Sequence, residues 1–214
     1  ISDGVSLALS DMGNVLKKNI AARNPTPVTK KILPEYKGAL DPDNRWVPWR
    51  LSEQGVSYNP KLLAELKLTP PKGYMDLCDS QYKGQVAMDT AATRVLSGLR
   101  AILGEEGLRK FLECLGKNEP IIMRGQTNRI MLMAAGDHAI QGANSLYVGT
   151  RENKKNPKKY PFKAVYTAPV FIYPTGLIIS VNAPHPYASA LFVDWALSDE
   201  AQQLVTGWGR GNVT

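Results

Sequence analysis

The 214-residue chain is 43% hydrophobic, which is enough to build one large domain or two small ones. It carries a formal net charge of +7, but the segment 151–163 supplies +5 of this, from six Lys and Arg residues against one Glu. The rest of the chain therefore carries only +2. The basic segment contains no groove-reading motif and is typical of a solvated helix end, so we do not predict nucleic-acid binding.

The apolar stretches and the cysteines exclude further classes. The longest apolar stretch, 168–181, is interrupted by Pro174, Thr175 and Gly176, so we predict no membrane-spanning helix. Cys78 and Cys114 lack the spacing of a metal site. We predict that both cysteines are small buried apolar residues, with a disulfide as the alternative in an oxidising compartment.

Taken in chain order, the hydrophobic patterns alternate between strands and helices. We predict strands over 4–9, 45–49, 55–59, 85–89, 120–123, 138–143, 162–167 and 170–181. We predict helices after residue 10, over 60–68, 90–103, 105–115, 127–135 and 144–156, and two near the C-terminus, with Gly104 separating two of them. This alternation predicts an α/β fold with a substantial parallel sheet.

Two apolar stripes with helical spacing lie close to the C-terminus: Ala188, Leu191, Phe192 and Trp195, then Ala201, Leu204, Val205 and Trp208. On one straight helix the second stripe would lie about 220° from the first. Pro184 and Pro186 favour one helix start, and Ser198 favours another. We predict two helices that serve different cores; the alternative is one kinked helix that wraps a single core.

Catalytic patterns are missing from the sequence. His138 and His185, the only histidines, have no neighbouring nucleophile and no metal-ligand spacing. The phosphate-binding, dinucleotide-binding and nucleophile-elbow motifs do not occur. We therefore predict that the protein is not an enzyme and has no catalytic residues. We also predict that it has no metal site and binds no cofactor.

Polar residues follow three predicted strands at the points where helices begin. The N–H groups of Ala91 to Thr93 and the hydroxyls of Thr90 and Thr93 predict a site for an anion, to which Arg94 adds a forked donor. The next two helix starts supply Gln126 and Thr127, and then Asn144, Ser145 and Tyr147. The alternative is that each polar side chain only caps its own helix. Ligands of open α/β sheets gather at the carboxyl ends of strands, which favours a shared site.

Four segments together carry a family resemblance: "GVSYNPKLL", "YMDLCDSQYKGQVAMD", "IIMRGQTNRIMLMAAGDHAI" and "NAPHPYASALFVDWALSDEAQQLV". They resemble the extracellular solute-binding proteins of bacterial ABC transporters, in the ferric-iron-type branch of the two-lobed, type 2 periplasmic binding fold. The resemblance implies a receptor that closes two lobes on a small solute and delivers it to an inner-membrane permease.

The resemblance also implies how the chain is divided. Residues 1–54 would form part of lobe 1, 55–140 lobe 2, 141–197 the return to lobe 1, and 198–214 a C-terminal helix that crosses to lobe 2. Family members carry a further βαβα stretch before the strand at 4–9, so we expect an N-terminally truncated chain with lobe 1 incomplete. We include Ser10, just after that strand, among the candidate ligand-binding residues.

The resemblance does not fix the solute, because the ferric-binding members place adjacent tyrosines just after the return strand. That position falls here on Asn144 and Ser145, with Tyr147 nearby. Phenolate oxygens suit Fe(III), whereas an amide and a hydroxyl do not. We therefore expect a small anionic or polar solute. The alternatives are a ferric-iron binder that uses Tyr147, or a sensory or interaction module of the same fold.

The resemblance carries the remaining expectations. The protein would be periplasmic, or extracellular and membrane-tethered in a Gram-positive host. It would work as a monomer, with the solute and the ABC permease as its partners and no nucleic acid.

Overall fold

Strands and helices alternate along most of the chain. The computed structural model describes residues 3–166 and 169–214, and for residues 9–11 it describes only the backbone. The strands are β1 (Gly4–Ala8), β2 (Val47–Tyr58), β3 (Val86–Asp89), β4 (Ile121–Met123), β5 (Ile140–Ser145), β6 (Lys163–Ala164) and β7 (Phe171–Ile179). The α-helices are α1 (Leu9–Lys17), α2 (Pro60–Glu65), α3 (Thr93–Lys117), α4 (Gln126–Ala135), α5 (Leu146–Lys155), α6 (Pro186–Ala196) and α7 (Asp199–Gly207). Short 3₁₀ helices lie at Pro27–Lys31, Pro34–Ala39, Met75–Cys78 and Ser80–Tyr82. The predicted α/β class is confirmed.

Two strand predictions need correction. The extended pieces predicted at 45–49 and 55–59 form the single strand β2, because its centre is paired as well: Leu51 bridges to Gly211, and Gln54 pairs with Ser145. The strand predicted at 138–143 is β5, which begins two residues later and runs to Ser145. Asn144 therefore lies within a strand and does not open a helix. The last residue of the strand predicted at 162–167 lies outside the described residues.

The chain divides into two compact units. Unit 1 contains Ile1–Ser52 and Ile172–Thr214, and unit 2 contains Glu53–Phe171. These bounds differ from the predicted lobes, because the chain returns at residue 172 and not at residue 141. The reason is that β5 pairs with β2 and β3 inside unit 2. The C-terminal segment 198–214 belongs to unit 1, where the prediction had placed it across to lobe 2.

Unit 2 is built on a parallel pairing of β3 with both β4 and β5. The second half of β2 runs antiparallel to β5, and β6 pairs with the end of β2. The core beneath this sheet includes Leu77, Val86, Leu99 and Phe111. The alternating pattern predicted the parallel part of this sheet, which is β4, β3 and β5, and did not predict its antiparallel edge.

The two cysteines form a disulfide, Cys78–Cys114, with Cα atoms 5.3 Å apart. They lie half-buried at the edge of the unit 2 core. The prediction that they are small buried apolar residues was therefore wrong, and the alternative holds. The bond forms because the 3₁₀ helix that ends at Cys78 packs on the C-terminal half of α3.

Helix α3 contains the break that was predicted at Gly104. This residue has φ 73° and ψ 177° while the residues on both sides are helical, so α3 is two helices joined at a kink. The first half begins at Thr93 and not at residue 90, since residues 90–92 form a turn. Among the described residues, no helix combines the length and apolar character needed to span a bilayer.

The two terminal helices serve one core, not two. Val193, Ala196 and Leu197 are buried in the same cluster as Val205 from α7. Ser198 accepts a hydrogen bond from the N–H of Ala201 at 3.2 Å, so α7 starts as a new helix with its own direction. The shared core is therefore built from Val193, Ala196 and Leu197 of the first helix and its end, and not from the predicted stripe.

The stripe predicted to be buried on α6 is exposed. Leu191 is 71% exposed, Phe192 48% and Trp195 38%, and Ala188 is exposed as well. On α7, Ala201 and Val205 of the second stripe are buried, whereas Leu204 and Trp208 are exposed. Both faces of α6 are apolar, so spacing alone did not identify the buried one.

Candidate ligand-binding site

Three helices begin at one edge of the unit 2 sheet. Because β4, β3 and β5 are neighbours and run parallel, their carboxyl ends meet at that edge, where α4, α3 and α5 start. The candidate residues from unit 2 all lie at these strand ends, on the connections or in the first turns of the helices: Thr90, Ala91, Thr93, Arg94, Gln126, Thr127, Asn144 and Tyr147. Ser10 is in α1 of unit 1, and its side chain lies outside the described residues.

The start of α3 is partly occupied by the protein's own groups. The N–H of Ala91 donates to Asp89 Oδ1 at 2.8 Å, and the N–H of Ala92 donates to the Asp89 carbonyl at 3.2 Å. The backbone donor of Ala91 was predicted to be free for an anion, and this was wrong because Asp89 turns its carboxylate back onto the chain. The side chains of Thr90 and Thr93 are exposed, and Arg94 is half-buried.

A buried arginine ties the strand ends together. Arg129, in the first turns of α4, is fully buried, and its Nη2 lies 2.9 Å from Asp89 Oδ2. The same nitrogen donates to the Ala143 carbonyl at 3.3 Å and to Asn144 Oδ1 at 3.2 Å. One guanidinium therefore holds the end of β3, the end of β5 and the start of α4 in a fixed arrangement.

This cluster keeps unused donors. Among the described residues, Arg129 Nε, Arg129 Nη1 and Asn144 Nδ2 are buried without a hydrogen-bond partner. Burial lowers the pKa of the Arg129 guanidinium, and the charge of Asp89 opposes that shift. The ion pair thus keeps a cation and unpaired N–H groups buried beneath the strand ends.

The start of α4 contacts the start of α5. Gln126 Oε1 accepts a hydrogen bond from the N–H of Ser145 at 3.0 Å, across the two connections. Gln126 is half-buried by this contact, whereas Thr127 and Asn128 beside it are exposed. Gln126 is therefore part of the frame of the edge, and Thr127 lies on its surface.

Tyr147 belongs to a different environment. It packs against the apolar cluster of Ile130, Met133 and Val148 between α4 and α5. The guanidinium of Arg151 lies 5.4 Å from the centre of its ring, and a hydrogen bond to Tyr147 raises the pKa of Arg151. These contacts use Tyr147 in packing, and it does not join the cluster of Asp89, Arg129 and Asn144.

Sequence analysis missed Asp89 and Arg129. Two signals were available in the sequence. One is the carboxylate that ends the apolar strand "VAMD", and the other is the single arginine in the otherwise apolar stretch "RIMLMAA". Neither signal identifies the partner, because the two residues are far apart along the chain. Only the parallel pairing of β3 with its neighbours brings them together.

Solved structures share the fold of this chain over most of its length. The periplasmic binding protein P5PA matches with a TM-score of 0.83 and 20% identity, covering 95% of this chain and 66% of its own. AfuA from Actinobacillus pleuropneumoniae, with exogenous fructose-6-phosphate bound, matches with a TM-score of 0.82 and 19% identity, covering 100% of this chain and 69% of its own. Iron-bound HitA from Pseudomonas aeruginosa matches with a TM-score of 0.78 and 17% identity, covering 99% of this chain and 69% of its own.

These likenesses show the α/β fold of periplasmic binding proteins, as the resemblance predicted, and at these identities they show the fold alone. The chain spans about two thirds of the length of these structures. No curated protein sequence matches the chain significantly. A sequence model of the bacterial extracellular solute-binding proteins matches residues 11–210. The chain therefore belongs to this family of solute-binding proteins, which are not enzymes.

Proposed function

We propose that this chain is the solute-binding part of an ABC importer, and that it binds a small polar or anionic solute at the unit 2 sheet edge. The family supports a binding function. The single observation that carries the choice of site is the buried Arg129–Asp89 pair, because it fixes the edge where three helices start. A preorganised polar frame behind the exposed residues is what a selective binding site requires.

Three exposed threonines and the half-buried Arg94 at this edge indicate how the solute is held. Thr90, Thr93 and Thr127 present hydroxyl groups, and Arg94 supplies a charge. Since the carboxylate of Asp89 already accepts the Ala91 N–H, we propose that side chains supply most of the contacts to the solute. Hydroxyls and a guanidinium together suit a hydroxylated molecule with one anionic group. Sugar phosphates are the first class to test, since the structure of AfuA carries one.

Ferric iron is the second candidate, because the similar structure of HitA is iron-bound. A ferric site here would use Tyr147 with a bound anion. Against this, Asn144 and Ser145 stand where the ferric-binding members place tyrosines, and Tyr147 already contacts Arg151. We expect no visible charge-transfer band when ferric citrate is added. A strong band that disappears in Tyr147→Phe would favour iron over the organic solute.

The cellular setting follows from the same proposal. A disulfide persists in an oxidising compartment, so Cys78–Cys114 supports a periplasmic location, or an extracellular tethered one in a Gram-positive host. The protein would act as a monomer that closes two lobes on its solute and presents it to the inner-membrane permease. The fold and the family are compatible with this sequence of events, and transport assays would test it.

The test begins with a panel of sugar phosphates, carboxylates and ferric citrate, followed by calorimetric titration of any compound that raises the thermal midpoint. Arg94→Ala should weaken binding of an anionic compound by about 1.5–3 kcal/mol, the range for a charge-assisted hydrogen bond. The matched control is Arg100→Ala, also on α3 and paired with Glu105 at 2.7 Å, which should keep full affinity. Equal affinity in both variants would remove Arg94 from the site.

A further inference from the structure

A strongly basic surface lies on unit 2 over residues 151–163, which we name the basic segment. It carries six Lys and Arg residues against Glu152 alone. Its five lysines, at 154, 155, 158, 159 and 163, are all exposed. Glu152 is buried and is already paired with Arg151 at 2.7 Å and with Lys155 at 3.2 Å. Within the described part of the chain, the other four lysines have no acidic partner.

The basic segment is folded and not a loose tail. Asn156 Oδ1 accepts the N–H of Lys159 at 3.0 Å, and Asn153 Nδ2 donates to the Tyr160 carbonyl at 2.8 Å. Phe162 packs into the apolar cluster between α4 and α5, and Lys163 continues into β6. The lysines are therefore held on a fixed scaffold, which keeps their charges close together.

Helix stability explains only part of this charge. Lys154 and Lys155 lie in the last turn of α5, where a cation stabilises the helix dipole. Lys158, Lys159 and Lys163 lie beyond the end of the helix and gain nothing from it. Clustering them costs repulsion, and no acidic partner among the described residues offsets it, which indicates that the partner lies outside the chain.

The basic segment is separate from the candidate solute site. Helix α5 has 10 residues, so its two ends are about 15 Å apart. Its first residue follows Ser145 at the sheet edge, and its last turn is in the basic segment. A solute at the edge is therefore not the anion that these lysines attract.

The composition of the segment decides which polyanion fits. Lysine is a compact, strongly hydrated charge and is depleted from protein–protein interfaces. Phe162 is packed inside, and Lys159 lies 5.2 Å from the ring centre of Tyr160, so these rings are engaged and do not form a platform for nucleic-acid bases. Clustered lysines on a folded surface suit the anionic head groups of a phospholipid bilayer. We propose that the basic segment docks this protein on an anionic membrane surface.

The test is co-sedimentation with vesicles of phosphatidylcholine and phosphatidylglycerol at 7:3, compared with vesicles of phosphatidylcholine alone, without any solute. The protein should bind the anionic vesicles at low salt and dissociate as the salt concentration rises. Each lysine near an anionic surface is worth roughly a fivefold change in affinity, so Lys154→Gln, Lys158→Gln and Lys159→Gln together should weaken binding on the order of 100-fold.

The matched control carries Lys37→Gln, Lys61→Gln and Lys110→Gln, three exposed lysines outside the basic segment. It has the same net charge as the test variant and should bind nearly as well as the unmodified protein. An equal loss in the two variants would show attraction by net charge alone and would overturn the proposal. Binding to polyglutamate but not to anionic vesicles would also overturn it and would assign the surface to an acidic protein.

Discussion

At the scale of single residues, the Arg129–Asp89 pair makes the sharpest prediction. Arg129→Met should lower the free energy of unfolding by about 3–5 kcal/mol, because it leaves the Asp89 carboxylate, only 9% exposed, without a counter-charge. Denaturant unfolding measures this loss. The control is Arg124→Ala, at an exposed position between β4 and α4, which should change stability by less than about 0.5 kcal/mol.

The double variant Asp89→Asn with Arg129→Met separates charge from packing. Since it removes both charges, it should be more stable than Arg129→Met alone. If Arg129→Met unfolds like the unmodified protein, then the pair does not hold the strand ends, and the site proposed on it loses its frame.

His138 makes the second residue-scale prediction, which concerns pH. Its ring is fully buried, with Nδ1–H donating to Asp137 Oδ2 at 3.2 Å and Nε2 accepting from Gln141 at 3.1 Å. Burial lowers the pKa of His138, and Asp137 opposes this only in part. Below the ordinary histidine pKa of about 6.5, the unfolded chain therefore binds a proton that the folded protein does not.

The contribution of His138 to the free energy of unfolding should be fully present above that pH and should be lost as the pH drops below it. Comparing unfolding free energies between pH 7 and pH 5.5 in the unmodified protein and in His138→Gln measures this contribution. The variant should lose that part of the pH dependence, whereas His185→Gln, at an exposed histidine, should retain it. Identical pH profiles in all three proteins would show that His138 titrates normally.

Some residues of the sheet edge could be predicted from their own segment, and others only from a contact between distant segments. The sequence placed Thr90, Thr93 and Thr127 at helix starts, because polar residues there are a local signal. Asp89 and Arg129 were missed because each looks ordinary in its own segment. Their importance comes from a contact between distant parts of the chain, which propensity and spacing do not contain.

At the scale of elements, the kink of α3 is predictable and testable. Gly104 has φ 73° and ψ 177°, a backbone region that is essentially restricted to glycine. Gly104→Ala should cost about 1–3 kcal/mol, although an added Cβ would meet no atom within 4 Å.

Gly116 provides the matched control, since it lies in the same helix, also meets nothing within 4 Å, and has no positive φ. Gly116→Ala should be neutral or stabilising, because alanine favours the helix. Thermal unfolding of the two variants side by side measures the difference. If the two variants are equally stable, the backbone at Gly104 does not require glycine.

The same element scale shows why α6 was misassigned. A helical period indicates the buried side only when the opposite side is polar. Here Val193 and Leu197 are as apolar as Leu191 and Phe192, so the pattern predicted a helix correctly and chose the wrong face. The choice is made by α7 and β7, whose residues fill the cluster around Val193.

At the scale of the whole molecule, the chain order of strands and helices predicted the fold class, and the resemblance predicted the family. The division into units could not be predicted from the chain order, because it depends on which strands pair. The motif "HAIQGA" was placed at a return to lobe 1, but the parallel register of Val86 with Ile140 keeps β5 in unit 2. Pairing partners are not encoded in a strand's own residues.

The disulfide makes the prediction at this scale. It closes a loop with a sequence separation of 36 within unit 2, so Cys78→Ala with Cys114→Ala, or reduction, should cost about 3–4 kcal/mol on a chain-entropy estimate. All four tryptophans, at 46, 49, 195 and 208, belong to unit 1 and report on it alone. We therefore expect reduction to lower the denaturation midpoint of the far-UV circular dichroism signal more than the midpoint of the tryptophan fluorescence signal. Reductant added to the double variant is the control and should change nothing. A midpoint that is equal with and without reductant would show that Cys78–Cys114 does not stabilise unit 2, and would leave the proposed oxidising location without its structural support.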